Sequence, residues 1–224
     1  MQISFFEEFP TEKNLAKLDL IKFPTKLYIA SSSLKELSKI KRDIKKITKR
    51  VRTVYWPVLP KAAGYWISPF SGRRSLLKVL TELQNKKNKI PIMLDLEFPI
   101  NPFLYMQPFF FANKKIIDDF IKKYGKNLYL CSASFKRLEK YEKDRARKII
   151  MLYGRARKIK EAARKNYIAA FGCIAKGIFP LPILEPSELE KNLAEARKYD
   201  VEEVVIYRLG GLDKKYLAAI KKYV

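Results

Sequence analysis

The chain of 224 residues contains no histidine. Chemistry that needs an imidazole base, acid or metal ligand is therefore excluded. Cysteine is scarce as well: Cys131 and Cys173 are the only two. They suit buried thiols in a reducing compartment, and nothing about them demands a disulfide. No stretch reaches the roughly 18 uncharged apolar residues that a bilayer-spanning helix needs. The opening MQISFFEEFPTEK places acids where a secretory leader would be basic, so a cytoplasmic protein is expected. No Gly-x-Gly-x-x-Gly turn follows an apolar run, which argues against a dinucleotide site.

Acidic residues are also few. There are 23 against 47 lysines and arginines, a net charge of +24. One reading is a lysine-rich surface of the kind thermophile proteins carry. The other is attraction to an anion: nucleic acid, acidic lipid or a phosphorylated substrate. The charge concentrates in residues 35–52 and 136–165, both with the spacing of a solvated helix face.

Short apolar runs alternate with amphipathic charged stretches. Eight runs read as strands: 2–8, 26–31, 51–58, 90–97, 127–133, 147–153, 168–175 and 203–209. Helices are predicted over 12–22, 34–49, 73–87, 113–124, 135–146, 155–166, 188–199 and 213–223. Ser33 with Glu36, and Ser187 with Glu190, fit capping boxes, and Thr11 and Asp213 are candidate N-caps. Eight β-then-α units predict an α/β fold with a parallel sheet, closed as a single (β/α)8 barrel over residues 1–224. An open doubly wound sheet is the alternative. Two long connections, 59–72 and 98–112, follow strands 3 and 4 and are rich in aromatics and proline. On a barrel they lie at the C-terminal face, where active sites form.

Strand 4 ends Asp95-Leu96-Glu97. Strand side chains alternate faces, so the two acids share one face and the leucines take the other. Carboxylates that close shift each other's pKa, and one can stay protonated near neutral pH. On strand 1, Ser4, Phe6 and Glu8 share the less apolar face, which puts Glu8 inside and Glu7 outside. Glu8, Asp95 and Glu97 then form a carboxylate cluster suited to acid–base catalysis without metal, or to Mg²⁺. Other strand ends bring Tyr55, Trp56, Ser132, Ser134, Tyr153, Arg155, Lys176, Tyr207 and Arg208. With Tyr65, Trp66 and Phe70 from the first long loop, they offer flat apolar faces and hydroxyls to a sugar ring.

This layout resembles that of barrel glycoside hydrolases, family 18 chitinases and their relatives. That family ends strand 4 with D-x-x-D-x-D-x-E and strand 6 with M-x-Y-D. Here the corresponding residues are Asp95-Leu96-Glu97 and Met151-Leu152-Tyr153-Gly154. The resemblance implies a carbohydrate substrate, Glu97 as general acid, Asp95 as the acid that orients the substrate, and Tyr153 as a hydroxyl donor. Met93 and Ile90 stand where the family has further aspartates, and Gly154 where it has the strand-6 aspartate. No tryptophan ends strand 8.

Two other functions compete. A phosphorylated substrate would use Gly210-Gly211 before the last helix, with Lys176 and Arg208 adding charge and Mg²⁺ on the carboxylates, as in a phosphodiesterase. A non-catalytic basic scaffold would bind nucleic acid or anionic membrane, with the aromatic 98–112 loop entering the interface.

Overall fold

The computed structural model describes residues 1–85, 90–153, 156–178 and 181–224. Its eight strands are β1 (Gln2–Glu7), β2 (Thr25–Ser31), β3 (Val51–Pro57), β4 (Ile92–Asp95), β5 (Leu128–Ser132), β6 (Arg147–Met151), β7 (Ile168–Cys173) and β8 (Glu203–Tyr207). They pair in parallel in sequence order, and β8 closes onto β1 with Phe5 opposite Ile206. Each strand is followed by helix: α1 (Glu12–Leu15), α2 (Leu34–Ile47), α3 (Arg73–Gln84), α4 (Phe110–Tyr124), α5 (Phe135–Glu139), α6 (Ile159–Arg164), α7 (Pro186–Lys198) and α8 (Lys214–Lys221). This is a closed (β/α)8 barrel. The open-sheet alternative is excluded by the β1–β8 pairing.

Alternation along the strands divides the core in two. Ile3, Phe5, Leu27, Ile29, Leu94 and Ile206 face outward and pack under the helices. Phe6, Tyr28, Trp56, Met93, Tyr129 and Val205 fill the barrel interior. The basic run 35–52 is mostly α2, which buries Leu37, Ile40 and Ile44 and turns its lysines outward.

Several element ends differ from the sequence expectation, each for a local reason. β4 stops at Asp95, so Glu97 lies in the loop beyond it. Helix α7 starts at Pro186, with Glu185 as N-cap and Glu188 completing the capping box in place of Ser187 and Glu190. Proline at the first helical position, with its fixed φ and missing N–H, sets that start. Helix α5 ends at Glu139, not 146, because the next amides bond three residues back, Tyr141 to Leu138 and Glu142 to Glu139. The expected helix 12–22 keeps one α-helical turn and tightens to 3₁₀ over Ala16–Leu20. Residues 98–112 hold a 3₁₀ turn, Pro102–Met106, and the first turn of α4. Thr11, Ser33 and Asp213 cap their helices as expected. Gly154 and Arg155 lie outside the described residues.

The lower end of the barrel interior is polar. Glu203, 1% exposed, accepts hydrogen bonds from Ser4 Oγ (2.8 Å), Tyr28 OH (3.0 Å) and Lys26 Nζ (2.5 Å). Arg147 stands 3.7 Å away. Burial and the Glu203 charge push the Tyr28 phenol well above its ordinary value, so it remains a donor. Above this network Tyr28 meets Tyr129 edge-on at 5.4 Å and Phe6 at 5.3 Å, an aromatic layer across the barrel.

Gly211 is fixed by crowding, not by a ligand. A Cβ there would stand 1.8 Å from the carbonyl oxygen of Ile174. Gly211→Ala is expected to destabilise the fold by about 1–3 kcal/mol through this overpacking, read as a lower urea midpoint with unchanged slope.

Candidate active site

At the C-terminal end of the barrel the strand ends enclose a cavity of about 410 Å³. Such a volume suits a small molecule or part of a larger one. Its walls are Phe6, Trp56, Trp66, Phe98, Cys131, Met151, Tyr153, Ile178, Leu181 and Tyr207, and its polar groups include Glu8, Asp95 and Glu97. Seven of the residues nominated from sequence, Glu8, Trp56, Trp66, Asp95, Glu97, Tyr153 and Tyr207, thus line one cavity.

Asp95 is the deepest of the three acids. It is 5% exposed, and its Oδ1 has no hydrogen-bond partner. Burial first, then the nearby Glu97 and Glu8 charges, raise its pKa well above the usual carboxylate range. Arg137 opposes this without reversing it. Asp95 is thus the acid whose surroundings favour the protonated form.

Glu97 is held from one side. Its Oε1 accepts from Ala133 N–H (2.7 Å) and Ser132 Oγ (3.0 Å), and its Oε2 lies 3.4 Å from Arg137. Arg137 also bonds the Leu96 carbonyl and covers the Phe98 ring at 4.5 Å. Glu8 is held from the other side by the Tyr207 hydroxyl, the Ile178 N–H (3.3 Å) and the Tyr65 hydroxyl. Burial, reinforced by the Glu8 charge, raises the pKa of Tyr65 and Tyr207, so both stay protonated donors. Burial likewise keeps Tyr153 and Cys131 protonated. Trp56 is buried in the wall, and its indole N–H has no partner.

Several nominated residues sit elsewhere. Tyr55 points the opposite way from Trp56, into the core beneath the helices. Alternation allows only one of two successive strand residues to face inward. Ser134 caps α5 through Arg137 N–H. Phe70 packs against Phe98, Tyr105 and Phe110 in the loop lobe. Arg208 turns from the cavity to Glu7, with which it pairs at 3.0 Å, and to the Lys176 carbonyl. Lys176 itself is exposed. Glu7 also accepts from Gly210 N–H (2.7 Å), and the α8 N-terminus is capped by Asp213. The turn expected to cradle phosphate is therefore filled by a carboxylate of the chain itself. Among the described residues, no three acidic or sulfur side chains gather where a metal ion would be held. Glu97 and Glu8 are held by separate sets of donors, and the close three-carboxylate cluster that the sequence offered to either metal-free acid–base catalysis or Mg²⁺ is not formed.

Sequence reasoning missed Arg137, Tyr65 as a partner of Glu8, and the wall residues Phe98, Cys131, Ile178 and Leu181. A basic residue at i+40 from Glu97 carries no local signal. Cys131 was readable from alternation alone, being paired with Asp95 across β4 and β5.

The fold and the site together define a (β/α)8 barrel with an acidic, aromatic-walled cavity at the usual catalytic end. No protein-family model matches the chain, and no curated protein shows significant similarity to it.

Proposed function

We propose that the protein is a hydrolase of the glycosidase type, acting without metal on a small carbohydrate or glycoconjugate. The observation that carries this reading is Asp95, a buried carboxyl in the cavity wall with one oxygen that has no partner. Burying such a group unbonded costs stability and suits a proton donor awaiting a substrate oxygen. Hydrolysis of a glycosidic bond needs a protonated acid beside an ionised carboxylate. The resemblance to family 18 implies Glu97 as the acid; the surroundings favour Asp95 in that role. Asp95 gives its proton to the leaving oxygen. Glu97, held by three donors, orients the sugar or stabilises positive charge on its ring. Glu8, steadied by Tyr207 and Tyr65, serves as the second carboxylate: it takes a proton from the water that attacks the anomeric carbon, so that the new C–O bond forms as the bond to the leaving oxygen breaks. Trp56, Trp66 and Tyr207 supply faces for the sugar C–H surface, and the Trp56 indole N–H supplies a donor.

The test is hydrolysis of a panel of 4-methylumbelliferyl glycosides. Wild-type protein is expected to turn over at least one of them with EDTA present. Glu97→Gln is expected to cut kcat by about 10–100-fold, with near-UV circular dichroism unchanged. No turnover of any glycoside, or turnover indifferent to Glu97→Gln, removes this reading. Turnover that EDTA abolishes points to the metal-dependent alternative.

A further inference from the structure

The segment that overhangs the cavity is apolar where water should cover it. Among the described residues, six of the nine large exposed hydrophobic side chains fall between 98 and 111. Phe103 is 78% exposed, Met106 85% and Phe111 81%. Their neighbours hold them in place. Phe70, Tyr105 and Phe110 pack on one another with centroids 4.8–4.9 Å from Phe70, and Gln107 bonds the Phe70 carbonyl. The lobe is thus a built shape with an apolar tip. A contiguous exposed patch of this kind marks an interaction surface.

What covers it is decided by charge. Residues 57–85 and 97–119, the lobe with the loop and helices that flank it, contain Lys61, Arg73, Arg74, Lys78, Lys114 and Lys115 against Glu82, Glu97, Asp118 and Asp119, a modest positive excess on a chain whose net charge is +24. Arg73 lies 5.5 Å over the Phe109 ring, and Lys114, paired with Asp118 at 2.7 Å, shares a cleft with Phe98, Phe110, Glu97 and Arg137. A second copy of the chain, also at +24, would bring like charge to like. Base stacking on nucleic acid would use flat rings, whereas the tip also carries the thioether of Met106. Aliphatic and aromatic side chains on a face with an excess of cations match the boundary of an anionic bilayer. There rings and methyls enter the acyl region, and lysines and arginines meet the headgroups.

We infer that the 98–111 lobe docks the barrel on membranes bearing anionic lipid, with Phe103, Met106 and Phe111 inserted and the surrounding cations on headgroups. No helix among the described residues is long and apolar enough to cross a membrane, so the contact is peripheral. Docking stands on the lobe alone and is independent of the reaction assigned to the cavity.

The experiment is co-flotation of the full chain with vesicles of phosphatidylcholine, and with vesicles of phosphatidylcholine and phosphatidylglycerol in equal parts. Binding is expected to the second and not the first. The triple variant Phe103→Ser, Met106→Ser, Phe111→Ser should weaken it by about tenfold or more. These side chains are exposed, so the melting temperature of the variant should match wild type, and light scattering reports the oligomeric state of both. Four results would overturn the inference: no flotation with anionic vesicles; flotation that the triple variant retains; a dimer that the triple variant dissolves, in protein that ignores vesicles; and binding to single-stranded RNA, lost in the triple variant, by protein that ignores vesicles.

Discussion

Lys26→Met is expected to destabilise the barrel by about 3–5 kcal/mol, the range found when one partner of a buried ion pair is removed. Lys26 and Glu203 are both almost wholly inside, with 2.5 Å between Nζ and Oε2. The variant leaves the Glu203 carboxylate with Ser4, Tyr28 and a more distant Arg147, three weaker partners for a full charge. Equilibrium urea unfolding measures the loss. The double variant Lys26→Met with Glu203→Gln should recover a large part of it, because the stranded charge is gone. A neutral Lys26→Met would mean that Ser4, Tyr28 and Arg147 together satisfy Glu203 without it. Activity per folded molecule should not change, since the network lies beneath the aromatic layer and away from the cavity.

Asp95→Asn is expected to abolish turnover while making the protein more stable at neutral pH. The proton donor contributes about 10²–10⁴-fold in rate, and that factor should appear in kcat. The stability gain follows from linkage. Burial and the neighbouring Glu97 and Glu8 raise the Asp95 pKa in the folded state. Above about pH 3.9, where an unfolded aspartate ionises, the folded chain holds a proton that the unfolded chain has lost. Stability from this group therefore falls as pH rises from there through the folded pKa. Asparagine has no such penalty. Its advantage should be absent below about pH 3.9, where both side chains are neutral, and should grow above it. Melting curves across pH read this out, at about 2–4 °C for each kcal/mol in a chain of this size. Wild-type kcat should fall as pH rises past the Asp95 pKa. A variant that melts lower than wild type at neutral pH would show that Asp95 is ionised and paired in solution.

The barrel was legible because each strand is an apolar run and each helix a charged amphipathic stretch, and alternation along β1 set Glu8 against Glu7. The same rule separates Tyr55 from Trp56 when it is applied strictly. What lay beyond reach came from partners distant in the chain. Arg208 looks like a free cation beside Gly210 until Glu7, some 200 residues earlier, takes it. Glu97 reads as the end of β4, yet its position is set by Ser132 and Ala133 on the neighbouring strand end and by Arg137 on α5. The start of α7 was decided by Pro186, one residue before the serine that fits the capping motif. The exposed tip of the 98–112 loop was visible as composition only, since a run of phenylalanines is equally suited to core, lid or surface.

The layer of Phe6, Tyr28 and Tyr129 makes the cavity a cul-de-sac. Under the proposed activity, reactant and product share one doorway, so neither passes through the barrel from end to end. A product that lingers stands in the path of the next molecule. On the hydrolase reading proposed above, such a product inhibits competitively with respect to the substrate, and the rate of vacating the chamber becomes part of the turnover time.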